Sequence, residues 1–444
     1  MEKCYPLIIG GKEKFSDKRE TVIDKFSGET IAEACIADSG DVESALQAAD
    51  NARSALADMP AFRRSEIVGK AAALLSERKE RIWKTIAREA GKPAKFARVE
   101  VERCVENVQY AAEEAKRIHG ETVPMNASKA GLGRTGYYER FPVGVVVAIS
   151  PFNFPLNLAA HKLAPAIASG CPVILKPASM TPLSGIELVK AFVDAGVPEG
   201  GISVLVGPGS TVGESLITDR RVDKISFTGS RAVGEHIVQN AGLKKVTMEL
   251  GSNSGIVVDK TIPDFDFCVK RSVFGAFYYQ GQVCISVQRI YIHADLYDRF
   301  VDACIREAGK LRIGNPLDDN TDVGPMISET ESERVESWVN EAVSQGARVI
   351  HGGRREGSIY HPTVLTGASQ DMRIVRDEVF GPVVTLHKVD SFESGVALLN
   401  DTEYGLQAGV FTSDINRALD AVRKLNVGGV MVNDFPTYRV DHMP

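Results

Sequence analysis

The chain has 444 residues, 44% of them hydrophobic and 25% charged, with a formal net charge of −6 at pH 7. That length predicts two or three domains in an ordinary globular protein. A mildly acidic chain with no long run of like charge has no field to attract nucleic acid or an anionic membrane, so we expect neither partner.

The N-terminal residues lack a basic stretch followed by an apolar core, and the longest apolar run, residues 143–149, is far too short to span a membrane. We therefore expect no secretory signal and a cytoplasmic location. The seven cysteines are scattered, with no CxxC pair. This pattern predicts reduced thiols and neither a zinc site nor a disulfide framework.

Helical spacing dominates residues 41–118. Apolar side chains recur through the first part of this region, and Gly91 and Pro93 close that segment before a second amphipathic stretch at 95–118. Residues 119–140 are polar and irregular, with short β-like pieces.

Short β-branched runs follow, and helical segments such as 158–168 and 185–195 separate the first four. The runs are residues 145–150, 172–176, 202–206, 224–228, 246–250 and 256–258. Strands alternating with helices predict a parallel sheet, and continuous apolar runs predict strands covered on both faces. A second α/β series begins after Gly251, with a strand at 289–293 and helices near 296–310 and 331–345. The sequence thus predicts two α/β lobes with the chemistry between them.

A strand running into Gly229 and Ser230 has the pattern of a phosphate-binding turn. Glycine permits close backbone approach, and free N–H groups at a helix start attract a pyrophosphate. The spacing to Gly234 is GxxxxG, so a plain strand–turn–helix capped by serine is equally compatible with this segment. Lys176, at the end of another strand, is either a ribose or phosphate ligand or a solvated lysine.

Cys284 follows a glycine turn, Gly281-Gln282-Val283, which favours an accessible thiol. A thiol can add to an aldehyde, and the adduct can lose hydride to a nicotinamide, leaving a thioester. Hydrolysis of that thioester needs a general base. Glu249, at the end of an apolar strand, is the candidate, and we expect partial burial to raise its pKa; a surface or salt-bridged glutamate is the alternative.

The motifs together resemble the aldehyde dehydrogenase superfamily over nearly the whole chain. Six segments match in order: Pro151-Phe152-Asn153-Phe154-Pro155, Leu175-Lys176-Pro177-Ala178-Ser179, Phe227-Thr228-Gly229-Ser230, Glu249-Leu250-Gly251, Gly281-Gln282-Val283-Cys284 and Glu378-Val379-Phe380-Gly381-Pro382-Val383. Within the superfamily, the sequence looks most similar to lactaldehyde- and non-phosphorylating glyceraldehyde-3-phosphate-type members.

This resemblance implies the roles of individual residues. Cys284 would be the nucleophile, Glu249 the base for thioester hydrolysis, and the Asn153 amide with the Cys284 N–H the oxyanion hole. Lys176 would bind the adenosine ribose, Ser230 the pyrophosphate and Glu378 the nicotinamide ribose. The cofactor-binding set it implies is Ser150, Phe152, Lys176, Ser179, Gly209, Gly229, Ser230, Val233, Leu250, Glu378 and Phe380.

The implied fold is α/β: a Rossmann-type cofactor domain (1–118 and 141–250), an α/β catalytic domain (251–433) and a small β oligomerisation element (119–140 and 434–444). Because the family normally continues with a PFGG-type segment and a final strand, we expect the last element to be incomplete. The resemblance also implies a homodimer or homotetramer.

Two internal departures stand out. Ser252 and Asn253 replace the second glycine and the lysine that usually follow Glu249-Leu250-Gly251, where we expect a local change without loss of activity. Tyr279 replaces an asparagine often found near the nucleophile, where we expect altered packing.

Ser179 bears on the cofactor, since NAD-preferring members often carry a glutamate there that would repel a 2′-phosphate. We therefore expect NADP to be accepted at least as well as NAD. Arg103 is either a ligand for an anionic substrate group or a solvated helix arginine, and Val283 stands where phosphate-binding members tend to carry arginine. We expect a short hydroxy- or acid-bearing aldehyde.

Three rival interpretations remain. A CoA-acylating semialdehyde dehydrogenase would tend to lack the base glutamate, so Glu249 argues against it. A non-catalytic member of the fold would not need Cys284, Glu249 and Asn153. A cysteine hydrolase that uses only the thiol would leave the Gly229 and Glu378 segments without a purpose.

Overall fold

The structure, a computed structural model, describes residues 3–443. Its strands are β1 (Cys4–Tyr5), β2 (Leu7–Ile9), β3 (Lys12–Lys14), β4 (Arg19–Ile23), β5 (Thr30–Cys35), β6 (Glu121–Val123), β7 (Gly136–Tyr138), β8 (Val145–Ile149), β9 (Val173–Lys176), β10 (Ile202–Val204), β11 (Val222–Thr228), β12 (Lys245–Glu249), β13 (Gly255–Val258), β14 (Arg289–His293), β15 (Arg348–His351), β16 (Arg355–Glu356), β17 (Ile359–Tyr360), β18 (Thr363–Thr366), β19 (Val383–Val389), β20 (Gln407–Phe411) and β21 (Gly429–Val432).

Its helices are α1 (Ser39–Asn51), α2 (Arg53–Ala57), α3 (Ala61–Glu77), α4 (Lys79–Glu89), α5 (Ala94–Glu114), α6 (Asn157–Ala168), α7 (Pro182–Ala195), α8 (Glu214–Thr218), α9 (Arg231–Asn240), α10 (Phe265–Phe277), α11 (Ala294–Ala308), α12 (Glu329–Ser344), α13 (Arg373–Arg376), α14 (Phe392–Asn400) and α15 (Ile415–Lys424). None of the helices within residues 3–443 combines the length and the apolar character needed to cross a membrane.

A seven-stranded sheet organises the first half of the chain, in the order β12-β11-β8-β9-β10-β2-β3. The pairs from β12 to β10 are parallel, and β2 and β3 add to one edge as an antiparallel hairpin. The order reverses between β8 and β11, since β9 and β10 extend one way and β11 and β12 the other. In open α/β sheets such a switch point leaves a crevice at the carboxyl ends of the strands, where ligands bind.

A second seven-stranded sheet organises the rest, in the order β15-β18-β19-β14-β13-β20-β21. All of its pairs are parallel except β15 with β18. Each sheet has its own apolar core, one built on β8–β11 with α3, α5, α6 and α7, and the other on β13, β14 and β19 with α10 and α11. The two predicted α/β series are therefore present as two parallel sheets, a mixed α/β fold with Rossmann-like topology.

The structure also contains elements that the helical periodicity of residues 41–118 could not reveal. Strands β1 to β5 precede that region, and β1, β5 and β4 form a separate three-stranded sheet. All five strands are short, and the side chains of β3 and β4 are largely exposed. Their sequences therefore show little alternation of apolar and polar residues. The β-like pieces expected in residues 119–140 are β6 and β7, which, in the part of the chain that the structure describes, pair only with each other as an antiparallel ribbon.

The expectation that every strand of the first sheet is covered on both faces is wrong for β12. It is the edge strand, and Lys245, Val246, Thr247 and Glu249 are all exposed. Its sequence resembles that of the buried strands because valine and threonine favour the extended conformation at an edge as well as in a core.

Candidate active site

The residues singled out in the sequence meet in one crevice between the two sheets. Ser150, Lys176, Gly229 and Glu249 lie at or just beyond the carboxyl ends of β8, β9, β11 and β12. Across from them, three loops lead into β13, β14 and β19, which are neighbours in the second sheet. Cys284 is in the loop before β14. The carboxyl edge of one sheet therefore faces the loops at the amino edge of the other.

The nucleophile loop begins with an unusual backbone. Tyr279, Gln280 and Gly281 have φ values of 48°, 53° and 68°, three successive residues in the left-handed region. A Cβ on Gly281 would lie 2.1 Å from the carbonyl oxygen of Gly381, so the close approach of the two loops requires glycine there. This turn delivers Cys284 to the crevice as a partly exposed residue.

The Cys284 thiol has its pKa raised to about 12, chiefly because its surroundings exclude water and further because the carboxylates of Glu378 and Glu249 oppose a thiolate. The charges of both carboxylates therefore act on this sulfur. In this state of the protein the cysteine is a protonated thiol at neutral pH.

Asn153 joins the loop after β8 to the nucleophile loop. Its side chain is 3% exposed, and its Nδ2 donates to the carbonyl oxygen of Gln282, two residues before Cys284, at 2.9 Å. Its Oδ1 accepts from the Phe154 N–H at 3.1 Å, which fixes the orientation of the amide. An amide nitrogen carries two donors, so one N–H remains for a ligand beside Cys284.

Glu249 ends the edge strand β12, and its backbone carbonyl accepts from the Gly229 N–H at 3.0 Å. Its side chain is exposed, contrary to the partly buried carboxylate expected from the sequence. The physical reason is the edge position of β12, which leaves the carboxylate open to water. Its charge also acts on Lys162, a buried lysine on α6 whose Nζ donates to the Thr228 hydroxyl at 2.6 Å.

Glu378 lies opposite, in the loop before β19. The Ser252 N–H donates to its Oε1 at 2.9 Å, and burial raises its pKa to about 7. A Cβ on Gly251 would lie 2.2 Å from its Oε2, so the glycine makes room for this carboxylate. Phe380, with a left-handed φ of 49°, turns its ring edge-on to Phe152 at a centroid distance of 5.7 Å.

The two departures in the segment after Gly251 have structural counterparts. Ser252 keeps the backbone donor to Glu378, and its hydroxyl lies 2.9 Å from that of Ser254. Asn253 takes the lysine's place, and its Nδ2 donates to the carbonyl oxygens of Val375 and Arg376. The Asn253 side chain therefore fastens the segment that leads to Glu378, whereas the Ser252 hydroxyl bonds within its own segment.

Lys176 and its neighbours form the far end of the crevice. Its side chain is buried, burial lowers its pKa to about 8, and its Nζ has a hydrogen bond of 3.3 Å to the Pro177 carbonyl oxygen. Ser179 donates from its hydroxyl to the Gly207 carbonyl oxygen at 3.1 Å. Gly209 opens the π-helical turn Gly209–Gly213, where a Cβ on Gly213 would contact the Lys176 side chain.

The turn between β11 and α9 completes the set. Ser230 holds the N-cap position of α9, but its side chain makes no capping hydrogen bond, so it differs from the serine cap considered in the sequence. Gly234 allows α9 to approach, since a Cβ there would lie 2.5 Å from Leu250. Val233 is 48% exposed on the same helix. The first N–H groups of α9 are left free for an anionic ligand.

This crevice fits a dinucleotide. The Ser150 hydroxyl is buried without a hydrogen-bond partner among the described residues, and the buried Lys176 cation has no carboxylate beside it. Polar groups of this kind are suited to hydroxyl or phosphate oxygens of a ligand. Among residues 3–443, no group of three or more His, Cys, Asp or Glu side chains is arranged to hold a metal ion.

Sequence reasoning overlooked Lys162 and the partners of Arg103. Lys162 interrupts an apolar helix, a signal that was available but ambiguous. Arg103 forms a two-pronged ion pair with Asp441 at 3.2 and 3.0 Å, and His161 Nε2 lies 3.0 Å from the same carboxylate. No local pattern links these three residues, because they come together only through the fold.

Comparison with known proteins gives consistent matches. The sequence profile of the aldehyde dehydrogenase family matches residues 13–444. The 3-sulfolactaldehyde dehydrogenase of Priestia aryabhattai is 44% identical over 444 residues, covering 100% of this chain and 92% of that protein.

Two solved structures extend the match. Aldehyde dehydrogenase 21 from Physcomitrella patens, in complex with its reaction product succinate, superposes with a TM-score of 0.98 at 41% identity, covering 100% of this chain and 92% of that one. Glyceraldehyde-3-phosphate dehydrogenase from Methanocaldococcus jannaschii, complexed with NADP, has a TM-score of 0.92 at 38% identity, with 97% and 93% covered. The resemblance inferred from the six motifs is confirmed, and this chain belongs to the aldehyde dehydrogenase family of enzymes, which use NAD or NADP.

Proposed function

We propose that this enzyme oxidises a short, acid-bearing aldehyde to the carboxylic acid, with Cys284 as nucleophile and Glu249 as the base that activates water. The observation that carries the proposal is the convergence on one sulfur: the Asn153 amide is fixed to the nucleophile loop, and the charges of Glu249 and Glu378 both act on the thiol. A thiol flanked by an amide donor and two carboxylates has what a two-step acyl chemistry needs.

In the first step the Cys284 sulfur bonds to the aldehyde carbon and the thiol proton passes to water. The carbonyl oxygen becomes an oxyanion, which the second N–H of the Asn153 amide and the Cys284 backbone N–H stabilise. NAD or NADP supplies the acceptor for the hydride that leaves this carbon. The product on Cys284 is a thioester.

In the second step water attacks the thioester carbon while Glu249 takes its proton. The C–S bond then breaks to release the acid, and the proton held by Glu249 passes back to the sulfur to restore the thiol. The exposed position of Glu249 supports this role, since its carboxylate reaches bulk water from the edge of the sheet. The same charge opposes the thiolate of Cys284, so a base close to the sulfur also keeps the resting thiol protonated.

The cofactor is proposed to lie along the crevice. Lys176 and Ser179 would hold the adenosine ribose, and Gly209 would pack beside them. The pyrophosphate would lie at the start of α9, with Gly229 allowing its approach. Glu378 would hold the nicotinamide ribose. The remaining lining residues in this proposal are Ser150, Phe152, Ser230, Val233, Leu250 and Phe380.

NADP should be accepted at least as well as NAD. Ser179 adds no negative charge beside the ribose, and Lys176 offers a cation that a 2′-phosphate would attract. The NADP complex of the Methanocaldococcus jannaschii structure supports this proposal. A kcat/KM one hundredfold higher with NAD than with NADP would contradict it.

The acid-bearing substrate rests on the charges beside the nucleophile loop. Arg103 and His161 share the carboxylate of Asp441, and the Thr437 hydroxyl of the same segment donates to the Ile285 carbonyl oxygen, next to Cys284, at 2.6 Å. This arginine and this histidine thus already bind a carboxylate, in a segment that also contacts the residue next to Cys284. One relative is named for 3-sulfolactaldehyde, and another was solved with its reaction product succinate. Both compounds carry an acid group, which favours an acid-bearing substrate here.

A homo-oligomer is also part of the proposal, because within residues 3–443 the β6–β7 ribbon pairs with no other strand, and the ribbon with its flanking residues exposes large apolar side chains. Leu132, Tyr137 and Phe141 are 68%, 69% and 80% exposed. An exposed apolar cluster of this kind is typical of a subunit interface. We assign residues 119–140, together with 434–444, to an oligomerisation element, 1–118 and 141–250 to a cofactor domain, and 251–433 to a catalytic domain.

The test is cofactor reduction at 340 nm with NADP or NAD and a panel of succinic semialdehyde, 3-sulfolactaldehyde, lactaldehyde and hexanal. The enzyme should reduce cofactor at least ten times faster with the acid-bearing aldehydes, succinic semialdehyde and 3-sulfolactaldehyde, than with hexanal. Cys284→Ala should abolish the signal. Production of an acyl-CoA only in the presence of CoA would favour the CoA-acylating alternative. Equal kinetics for hexanal and the acids would contradict the substrate class.

A further inference from the structure

A buried lysine that the proposed chemistry does not use lies beneath the nucleophile loop. Lys92 stands in the turn between α4 and α5, and its Nζ pairs with the Glu100 carboxylate of α5. Both side chains are 0% exposed. A buried ion pair costs more to desolvate than an exposed one, so it need not stabilise the fold. The position of this pair is therefore better explained by what it contacts than by a contribution to stability.

The Lys92 cation lies between two aromatic rings that belong to different loops. Its Nζ is 3.6 Å from the centroid of Phe154 and 4.4 Å from that of Tyr279. Phe154 follows Asn153 and donates its N–H to the asparagine Oδ1. Tyr279 lies five residues before Cys284. One desolvated cation therefore contacts both the loop that carries the Asn153 amide and the loop that carries the nucleophile.

Glu100 fixes the far end of the Asn153 loop. Its Oε1 accepts from the N–H groups of Leu156 and Asn157 at 3.0 and 3.2 Å, at the start of α6. The carboxylate binds the first free N–H groups of the helix with one oxygen and pairs with Lys92 through the other. The loop from Ser150 to Leu156 is thus held at its end by the same ion pair that contacts its middle.

The nucleophile loop is held by the same turn. The Tyr279 hydroxyl donates to the Ala90 carbonyl oxygen at 2.9 Å, and Gln280 Nε2 donates to that of Gly91 at 2.7 Å. Tyr279 and Gln280 are two of the four non-glycine residues with left-handed φ among residues 3–443, a conformation that persists only where the surroundings enforce it. The carbonyl groups of residues 90 and 91 and the Lys92 cation help to hold this conformation.

We propose that Lys92, paired with Glu100, is a positioning residue that sets the distance between the Asn153 amide and the Cys284 N–H, and so shapes the oxyanion hole. The inference rests on the proposed function of these two groups. Lys92 touches no reacting atom in this account and acts only through the two loops it contacts. Tyr279, in place of the usual asparagine, supplies one of the two rings, which gives that departure a role.

The experiment compares Lys92→Met, which keeps the side-chain length and removes the charge, with the unaltered enzyme. Active sites are counted by the stoichiometry of iodoacetamide labelling at Cys284. Per labelled site, kcat for succinic semialdehyde with NADP and the cofactor-free hydrolysis of p-nitrophenyl acetate should both fall ten- to one hundredfold, because both reactions form an oxyanion. The rate of iodoacetamide alkylation, which needs no oxyanion hole, should change by less than threefold.

Arg417→Met is the matched control, since it leaves another 0%-exposed carboxylate, Asp259, without its arginine. It should lower Tm and leave both turnover rates per site unchanged. If Lys92→Met lowers Tm but keeps full turnover per site, Lys92 is only structural and the proposal is overturned. If that variant does not fold, Phe154→Leu, which removes one ring, decides: unchanged ester hydrolysis per site overturns the proposal, and a parallel loss in both reactions supports it. Failure of the unaltered enzyme to show any Cys284-dependent turnover would instead contradict the proposed function.

Discussion

At the scale of single residues, the electrostatics of Cys284 has a consequence that can be measured. Exclusion of water raises the thiol's pKa most, and the Glu378 and Glu249 charges raise it further. Such a thiol reacts slowly as a nucleophile unless its pKa is lowered, because the thiolate is the reactive form. Each unit of pKa changes the thiolate fraction about tenfold at a fixed pH well below the pKa.

Glu378→Gln should therefore speed the alkylation of Cys284 at pH 7.5. Removing a negative charge near the sulfur lowers the thiol's pKa, so the thiolate fraction rises and alkylation by iodoacetamide should accelerate about two- to tenfold. The rate is measured on the cofactor-free enzyme. Asp377→Asn is the control, since this neighbouring carboxylate is exposed to solvent. A slower reaction in Glu378→Gln would show that the carboxylate assists ionisation instead.

The single residues also show where sequence reasoning succeeds and where it stops. Cys284 was singled out by the glycine turn before it, and Asn153 and Glu378 only by short motifs that resemble those of the family. The exposure of Glu249 was not predictable, because it depends on β12 being an edge strand. Lys92 and Glu100 escaped notice because a lysine and a glutamate on helical segments are normally solvated.

At the scale of elements, the segment after β21 is joined to α5 and α6 by one carboxylate. The Asp441 side chain is 1% exposed, and it accepts from Arg103, His161 and Asn157. Burial alone would raise its pKa, but the hydrogen bonds from His161 and Arg103 outweigh burial and lower it to about 2. The segment's position therefore depends on a charge, which sequence periodicity does not report.

Asp441→Asn should lower Tm near neutral pH, and the difference from the unaltered enzyme should depend on acidity. A carboxyl whose folded pKa is about 2, against an ordinary value of 3.8, adds stability that is complete above pH 3.8 and is lost as pH falls through 2. The gap in Tm should be constant from pH 8 to 5 and narrow below pH 4. Thermal melts across that range test this, with Asp420→Asn as an exposed control. A gap that widens in acid would contradict the assignment.

At the scale of the whole molecule, the two sheets could be predicted from the sequence. The way in which one sheet faces the other could be predicted only in part. Alternating strands and helices in two series indicated two parallel sheets, since each β-branched run is short and bounded by turns. The strand and helix pattern predicted chemistry between the two lobes, but it did not predict that the carboxyl edge of the first sheet faces the loops before β13, β14 and β19. The hairpin β2–β3 at the edge of the first sheet and the small β1-β5-β4 sheet were missed, because short exposed strands carry almost no periodic signal.

The assembly of the molecule supplies the last prediction. If the β6–β7 ribbon and the residues just after it dock on a second copy, a charge at Phe141, the most exposed aromatic residue there, should weaken the association. Phe141→Glu buries a carboxylate in that interface, which costs several kcal/mol per ion if it stays charged, so light scattering after size exclusion should show a smaller assembly than the unaltered enzyme at equal concentration.

Phe62→Glu is the matched control, because Phe62 is also largely exposed, at 56%, but lies on α3, away from the ribbon. It should leave the mass unchanged. The same mass for Phe141→Glu and the unaltered enzyme would mean that the ribbon makes no essential contact. If the unaltered enzyme were a monomer with full turnover, the proposal of a homo-oligomer would be wrong, because the active-site crevice would then function without any partner chain.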